Sequence, residues 1–101
     1  MKYKNSSPLF TLSVAAELVK LHPRTLMLYE KNGLIKPFRT KTNRRRYSQK
    51  EIGKIKFIHF LTKEKGTNLA GVRLVFEILE KLGKKGPKER AKLFPNFQSP
   101  T

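Results

Sequence analysis

The span 34–48, LIKPFRTKTNRRRYS, constrains this chain most, because it sets a short hairpin-like segment between two stretches of helical periodicity. Leu34, Ile35 and Phe38 on one arm and Tyr47 on the other are apolar or aromatic anchor points, and Thr40, Thr42 and Asn43 suit a turn between them. Residues 36–50 carry seven basic side chains, Lys36, Arg39, Lys41, Arg44, Arg45, Arg46 and Lys50, and no acid. A solvated charge run is the plain alternative, but such runs usually mix signs or sit in disordered tails. A two-stranded flap with a cationic tip fits a nucleic-acid-binding wing.

At 101 residues the chain is expected to form one domain with one modest core. Its formal charge of +16 exceeds what solubility needs and opposes compaction, which implies a polyanionic partner. Nucleic acid comes first and a membrane surface second. No stretch approaches the length and apolarity of a spanning helix, and the opening MKYKNSSP has no apolar signal-peptide core. A soluble, cytoplasmic protein with no membrane partner is therefore expected. Cysteine is absent, which removes disulfides, thiolate metal sites and thiol catalysis together. Aspartate is absent too, the seven Glu are scattered, and His22 and His59 stand alone, so neither a metal site nor a catalytic triad is expected. No enzyme, metal or cofactor follows from this inventory.

Ahead of the flap, residues 9–12 suit a short extended lead-in. Ser13 is a good N-cap, and Val14, Leu18 and Leu21 recur at helical spacing with Ala15 beside them, which predicts a first helix over 14–21 with that stripe in the core. Leu21-His22-Pro23 ends that helix and starts another, with Pro23 in the first turn and His22 at the N-cap rather than acting as a ligand or base. On a helical wheel Leu26 and Tyr29 fall on the core side, and Arg24, Met27, Leu28 and Lys31 share the opposite side. Two cations beside two exposed apolar side chains suit phosphates and thymine methyl groups in a major groove. An ordinary amphipathic helix, or a contact with another part of the chain, is the competing reading. Asn32-Gly33 closes the helix, with Gly33 in the left-handed role.

Beyond the flap, Ser48-Gln49-Lys50-Glu51 matches a capping box at the start of a third helix that runs to about Lys65, before Gly66. Ile52, Ile55, Ile58 and Leu61 make its core stripe. Phe57 and Phe60 lie off that stripe and need cover from a C-terminal segment, a second subunit or solvent; packing with Phe94 and Phe97 inside one chain is the expectation. Asn68 caps a fourth helix with Val72, Val75, Phe76, Leu79 and Leu82, while Leu74 and Ile78 make it apolar on more than one face, as in a helix that is buried or shared with a partner. Residues 83–87 stop it, and the last stretch is expected to hold one or two helical turns from Pro87 and otherwise to be irregular. The expected divisions are a flexible arm (1–9), a DNA-binding domain (10–83) and a basic tail (84–101).

Several segments resemble the DNA-binding domain of the MerR family of transcription regulators. Phe10-Thr11-Leu12-Ser13-Val14-Ala15 resembles the family's opening segment, and His22-Pro23-Arg24-Thr25-Leu26 the start of its recognition helix. Leu28-Tyr29-Glu30-Lys31-Asn32-Gly33-Leu34-Ile35-Lys36-Pro37 resembles the end of that helix and the way into the wing, and Arg45-Arg46-Tyr47-Ser48 the returning wing strand. Thr67-Asn68-Leu69-Ala70-Gly71-Val72, with Val14-Ala15-Ala16-Glu17-Leu18 and His22-Pro23, is most similar to the family's heat-shock repressor branch.

The resemblance implies a mainly α, winged helix-turn-helix fold with four helices and a two-stranded β wing. It also implies docking on double-stranded DNA as a homodimer, with the recognition helix in the major groove and the wing on the flanking backbone or minor groove. Carried over by position, Arg24, Thr25 and Tyr29 from the second helix and Arg45 and Tyr47 from the wing would contact DNA. Together with the cations and outward residues above, the candidate interface is Arg24, Thr25, Met27, Leu28, Tyr29, Lys31, Arg39, Lys41, Arg44, Arg45, Arg46 and Tyr47. The implied function is repression of heat-shock and chaperone genes at an inverted repeat in the bacterial nucleoid, with a chaperone as a candidate co-repressor. A non-specific basic binder or an excision-type architectural factor is the alternative. The chain departs from the family at Met27, where Arg is usual, at Thr42-Asn43, where many members have Gly, and at residues 83–87, which interrupt the chain where a long dimerisation helix usually follows.

Overall fold

Thr11, not Ser13, starts the first helix. In the computed structural model, which describes residues 6–97, the Thr11 hydroxyl accepts the Val14 N–H at 3.3 Å, and α1 spans Leu12–Val19, ending at Lys20 in the left-handed region with φ 58°. The expected stripe is corrected accordingly. Val14 and Leu18 are 40% and 46% exposed, and the buried side of α1 is Ala15, Ala16 and Val19. Two overlapping apolar stripes are written into this helix, and size chooses between them. The turn to the next helix is only a few residues long, and the small Ala side chains let α1 and α2 approach closely.

α2 spans Pro23–Lys31 and forms as expected. His22 caps it, its Nδ1 accepting the Arg24 N–H at 3.0 Å, and Pro23 occupies the first turn, where its missing N–H costs nothing. Leu26 and Tyr29 are buried while Met27 and Leu28 are 41% and 48% exposed. Gly33, at φ 73°, turns the chain, and the Leu34 N–H reaches back to the Tyr29 carbonyl at 3.0 Å.

The flap is a two-stranded antiparallel ribbon. β1 (Phe38–Arg39) pairs with β2 (Arg45–Arg46) in the register Phe38 to Arg46 and Arg39 to Arg45. Its tip is a three-residue loop: the Asn43 N–H donates to the Thr40 carbonyl, the Thr40 N–H donates to the Arg44 carbonyl, both at 2.9 Å, and Asn43 sits at φ 61°. Asn43 thus takes the left-handed position that Gly fills in such hairpins. Asn43→Gly should leave thermal stability unchanged or slightly higher, whereas Asn43→Val should cost about 1–2 kcal/mol, measured by urea unfolding. Phe38 is not an anchor: it is 57% exposed. Directly paired residues share a face, so Phe38 stands with Arg46 on the outer face and Tyr47, one residue on, points to the opposite, buried side. Tyr47 is held by the lead-in, whose Phe10 exchanges backbone hydrogen bonds with it at 2.7 and 2.9 Å.

α3 spans Gln49–Glu64, with the Ser48 hydroxyl accepting the Glu51 N–H at 3.1 Å. The Glu51 carboxylate takes the backbone N–H of Lys36. Ile52, Ile55, Ile58 and Leu61 are all buried, as their spacing predicts. The chain divides into two compact units whose boundary falls between Lys56 and Phe57, within α3.

In the second unit Asn68 caps α4 (Leu69–Lys81), its side-chain oxygen accepting the Gly71 N–H at 2.9 Å. Residues 83–87 do stop α4, but they form a corner. A 3₁₀ turn (Gly83–Lys85) leads straight into α5 (Gly86–Leu93), so the described residues hold five α-helices rather than four. Gly86 is buried where an added Cβ would lie 2.6 Å from the Leu79 carbonyl oxygen, which explains a glycine there. After α5 the chain brings Phe94 and Phe97 onto Phe57 and Phe60, with ring centroids 5.0–6.1 Å apart, and Phe76 of α4 stacks on Phe57 at 6.0 Å. The cover required for Phe57 and Phe60 is therefore the C-terminal segment. Most of the expected arm, residues 1–5, and the end of the expected tail, residues 98–101, lie outside the described residues.

Candidate nucleic-acid interface

The outward side of α2 and the wing belong to the first unit, and one acid ties them together. Glu30, near the C-terminal end of α2, accepts from Arg45 Nε at 2.6 Å through one carboxylate oxygen and from Arg39 at 2.9 Å through the other. Each strand of the wing contributes one of these arginines, and Arg39 also donates to the Asn43 carbonyl at the tip. Burial pushes the Glu30 carboxyl up, but the hydrogen bonds and charges of Arg45 and Arg39 outweigh it and hold the group below its ordinary value. Nothing in the charge run announces this contact, since its acid lies nine and fifteen residues before the arginines. The Tyr-Glu pair at the end of α2 is its one visible trace.

The expected site residues accordingly separate into two sets. Arg24, Met27, Leu28 and Lys31 are exposed on α2, with Thr25 half-buried beside them, and Lys41 and Arg44 are exposed at the wing tip. Arg39 and Arg45 are committed to Glu30, and Arg46, half-buried, donates to the Arg45 carbonyl. Tyr29 and Tyr47 are 4% and 0% exposed, so both rings support the interface from beneath. Burial pushes the Tyr47 phenol up to about 12, the Arg45 charge opposing, and its hydroxyl has no hydrogen-bond partner among the described residues. At the base of the wing, Lys36, Arg39 and Arg46 face an open hollow of about 480 Å³ whose one lining acid is Glu51. Burial raises the Glu51 carboxyl, with the Lys54 charge, the Lys36 N–H and the Lys50 charge opposing. Among the described residues no cluster of His, Asp and Glu could hold a metal ion, and no helix is long and apolar enough to cross a membrane.

A two-helix unit with a proline-started second helix, followed by an arginine-rich wing, is also what family comparison finds. The family model described as MerR HTH family regulatory protein matches residues 10–78. The chain belongs to the MerR family. A Streptomyces coelicolor protein that carries the name heat shock protein HspR is 40% identical over 72 residues, which cover 71% of this chain and 48% of that protein. The HTH-type transcriptional regulator GlnR of Bacillus anthracis is 35% identical over 77 residues, 76% of this chain and 59% of the relative. The chain thus spans about half the length of these MerR-type relatives. Among solved structures, HiNmlR, a MerR family regulator lacking the sensor domain and bound to promoter DNA, matches with a TM-score of 0.68 at 28% identity, over 86% of this chain and 65% of that one. These relatives are transcription regulators, and the winged helix-turn-helix architecture is common to the MerR fold.

Proposed function

We propose that this MerR-family regulator binds double-stranded DNA sequence-specifically through α2 and the wing, as a repressor of heat-shock and chaperone genes at an inverted repeat. The observation that carries the reading is the exposed α2 row Arg24, Met27, Leu28 and Lys31 beside a wing fixed to the same helix by Glu30. Residues 10–83 would form the DNA-binding domain. Arg24, Thr25, Met27 and Leu28 would meet base edges, Lys31 and the tip cations Lys41 and Arg44 would meet phosphates, and Lys36 and Arg46 would offer a further phosphate seat in the hollow. Arg39, Arg45, Tyr29 and Tyr47 would hold the wing in register. The heat-shock assignment is supported by the 40% identity to HspR, and the chromosomal setting follows from it. A chaperone co-repressor is an extension of the same branch, and the phenylalanines first put forward as its contact, Phe57, Phe60, Phe94 and Phe97, are engaged with each other.

The testing quantity is the specificity ratio at fixed salt, because salt weakens specific and non-specific complexes alike. A duplex selected from genomic fragments should bind roughly a thousandfold tighter than scrambled DNA. A ratio below about tenfold would instead favour a non-specific basic or architectural binder. Arg24→Ala or Leu28→Ala should change which base is preferred, at about 1–3 kcal/mol per contact, while Lys41→Ala should weaken all sequences alike and reduce the salt slope by about one. Equal losses on every sequence for both classes would remove α2 from the reading role.

A further inference from the structure

Ten large apolar side chains are exposed among the described residues, and three of them, Leu74 (57%), Ile78 (49%) and Leu82 (38%), recur every four residues along α4 and its C-cap. On a helical wheel they form one narrow stripe, turned well away from Val72, Val75, Phe76 and Leu79, which are buried or half-buried. The helix is also electrically unlike the rest of the chain. Arg73, Glu77, Glu80 and Lys81 cancel within Leu69–Lys81, in a protein of net charge +16. A polyanion gains nothing from such a face, whereas a second copy, repelled by charge elsewhere, meets no net charge there.

The flank of the stripe selects an orientation. Glu77 and Lys81 lie one turn apart on the same side of it. In an antiparallel pair related by a two-fold axis, that flank meets its own copy in reverse, which sets Glu77 beside Lys81 of the second copy twice over. A parallel pair would set Glu against Glu and Lys against Lys. We propose that α4 is a self-association face, on which two copies pack antiparallel through Leu74, Ile78 and Leu82, with Ile78 near the two-fold axis and Leu74 of one copy beside Leu82 of the other. The proposal deepens the dimer in the function above and rests on that reading for its role at paired half-sites. Three apolar side chains per copy make an interface smaller than the roughly 1,200 Å² of stable complexes, so association is weak in free solution. It becomes effective where two half-sites hold two copies at a local concentration on the order of millimolar.

Sedimentation equilibrium of the full chain without DNA, up to about 1 mM, tests it. A monomer–dimer equilibrium is expected. Ile78→Glu should abolish it, Lys81→Glu should weaken it about tenfold, and the exchange Glu77→Lys with Lys81→Glu should restore it. The charge exchange keeps the test decisive if Ile78→Glu fails to fold. A single monomer mass across the range, or a dimer indifferent to Ile78→Glu and to Lys81→Glu, overturns the proposal. Both results are read without DNA and leave the specificity ratio standing, while a collapsed specificity ratio with an intact α4 dimer removes the functional reading alone.

Discussion

Phe57→Ala should lower the free energy of unfolding by about 3–5 kcal/mol, read from urea unfolding followed by circular dichroism. Phe57 is 3% exposed and contacts four other rings: Phe60, Phe76, Phe94 and Phe97. The Arg90 guanidinium lies 5.6 Å from its centroid, so a cation covers part of the ring. Ring pairs add about 0.5–1.5 kcal/mol each beyond their area, and truncation also leaves a cavity that the surrounding rings cannot fully close. Against a typical total of about 5–15 kcal/mol, such a loss leaves the protein marginal at best. Phe60→Ala, at a half-buried site, should cost less. A cost for Phe57→Ala below about 1 kcal/mol would show that the five rings do not form the core of the second unit.

Glu30→Ala should act on binding in an unusual direction. Removing an acid from a nucleic-acid interface normally strengthens binding, and here it would also release Arg39 and Arg45, so affinity for scrambled DNA should hold or rise. Specific affinity should fall, because the wing loses the carboxylate that fixes both of its strands to α2. The specificity ratio should drop about tenfold, which is the signature to measure. The accompanying stability loss should be about 1–2 kcal/mol, less than for a fully buried pair because the side chains of Glu30 and Arg45 are each 22% exposed. Glu30→Gln, which keeps the shape but not the charge, should fall between. An unchanged ratio in Glu30→Ala would show that the wing keeps its place without the carboxylate.

The same carboxylate gives a pH dependence with a definite sign. Glu30 is held below its ordinary value of 4.5 in the folded protein, so it binds protons less readily folded than unfolded. Its contribution to stability is complete above 4.5 and is lost as pH falls through the lowered folded value. Glu51 runs the other way. Burial raises it above 4.5, so the folded state is favoured at lower pH and loses that advantage as pH rises through the raised value. Acid titration of Glu30→Gln beside the unaltered protein should therefore remove stability loss on the acid side of 4.5 and leave the Glu51 behaviour intact.

Much of the fold was legible because local chemistry dictates it. Pro23 admits a helix start and little else, Gly33 a left-handed turn, and Ser48 and Asn68 offer side-chain oxygens where helix N–H groups lack partners. The Ile52, Ile55, Ile58 and Leu61 stripe was legible for the same reason, since helical spacing puts all four on one side. Position along α1 was not. Leu12, Val14, Ala15, Ala16, Leu18, Val19 and Leu21 supply more apolar positions than one face needs, and hydropathy favours the larger residues over the alanines that the helix pair buries. The outward row of α2 could be read from the wheel, whereas the division of labour among the wing arginines could not, because it turns on an acid far from them along the chain.

By itself the sequence determined the helix starts and stops, the turn at Asn43, the polyanionic partner and the resemblance to MerR regulators, all properties of neighbouring residues or of summed charge. Only the tertiary structure decided that Glu30 takes up Arg39 and Arg45, that Phe38 faces out while Tyr47 faces in, and that residues 83–97 fold back to cover Phe57 and Phe60. Each of these depends on which groups meet across long separations, and that is set by packing and the desolvation of charge rather than by local preference.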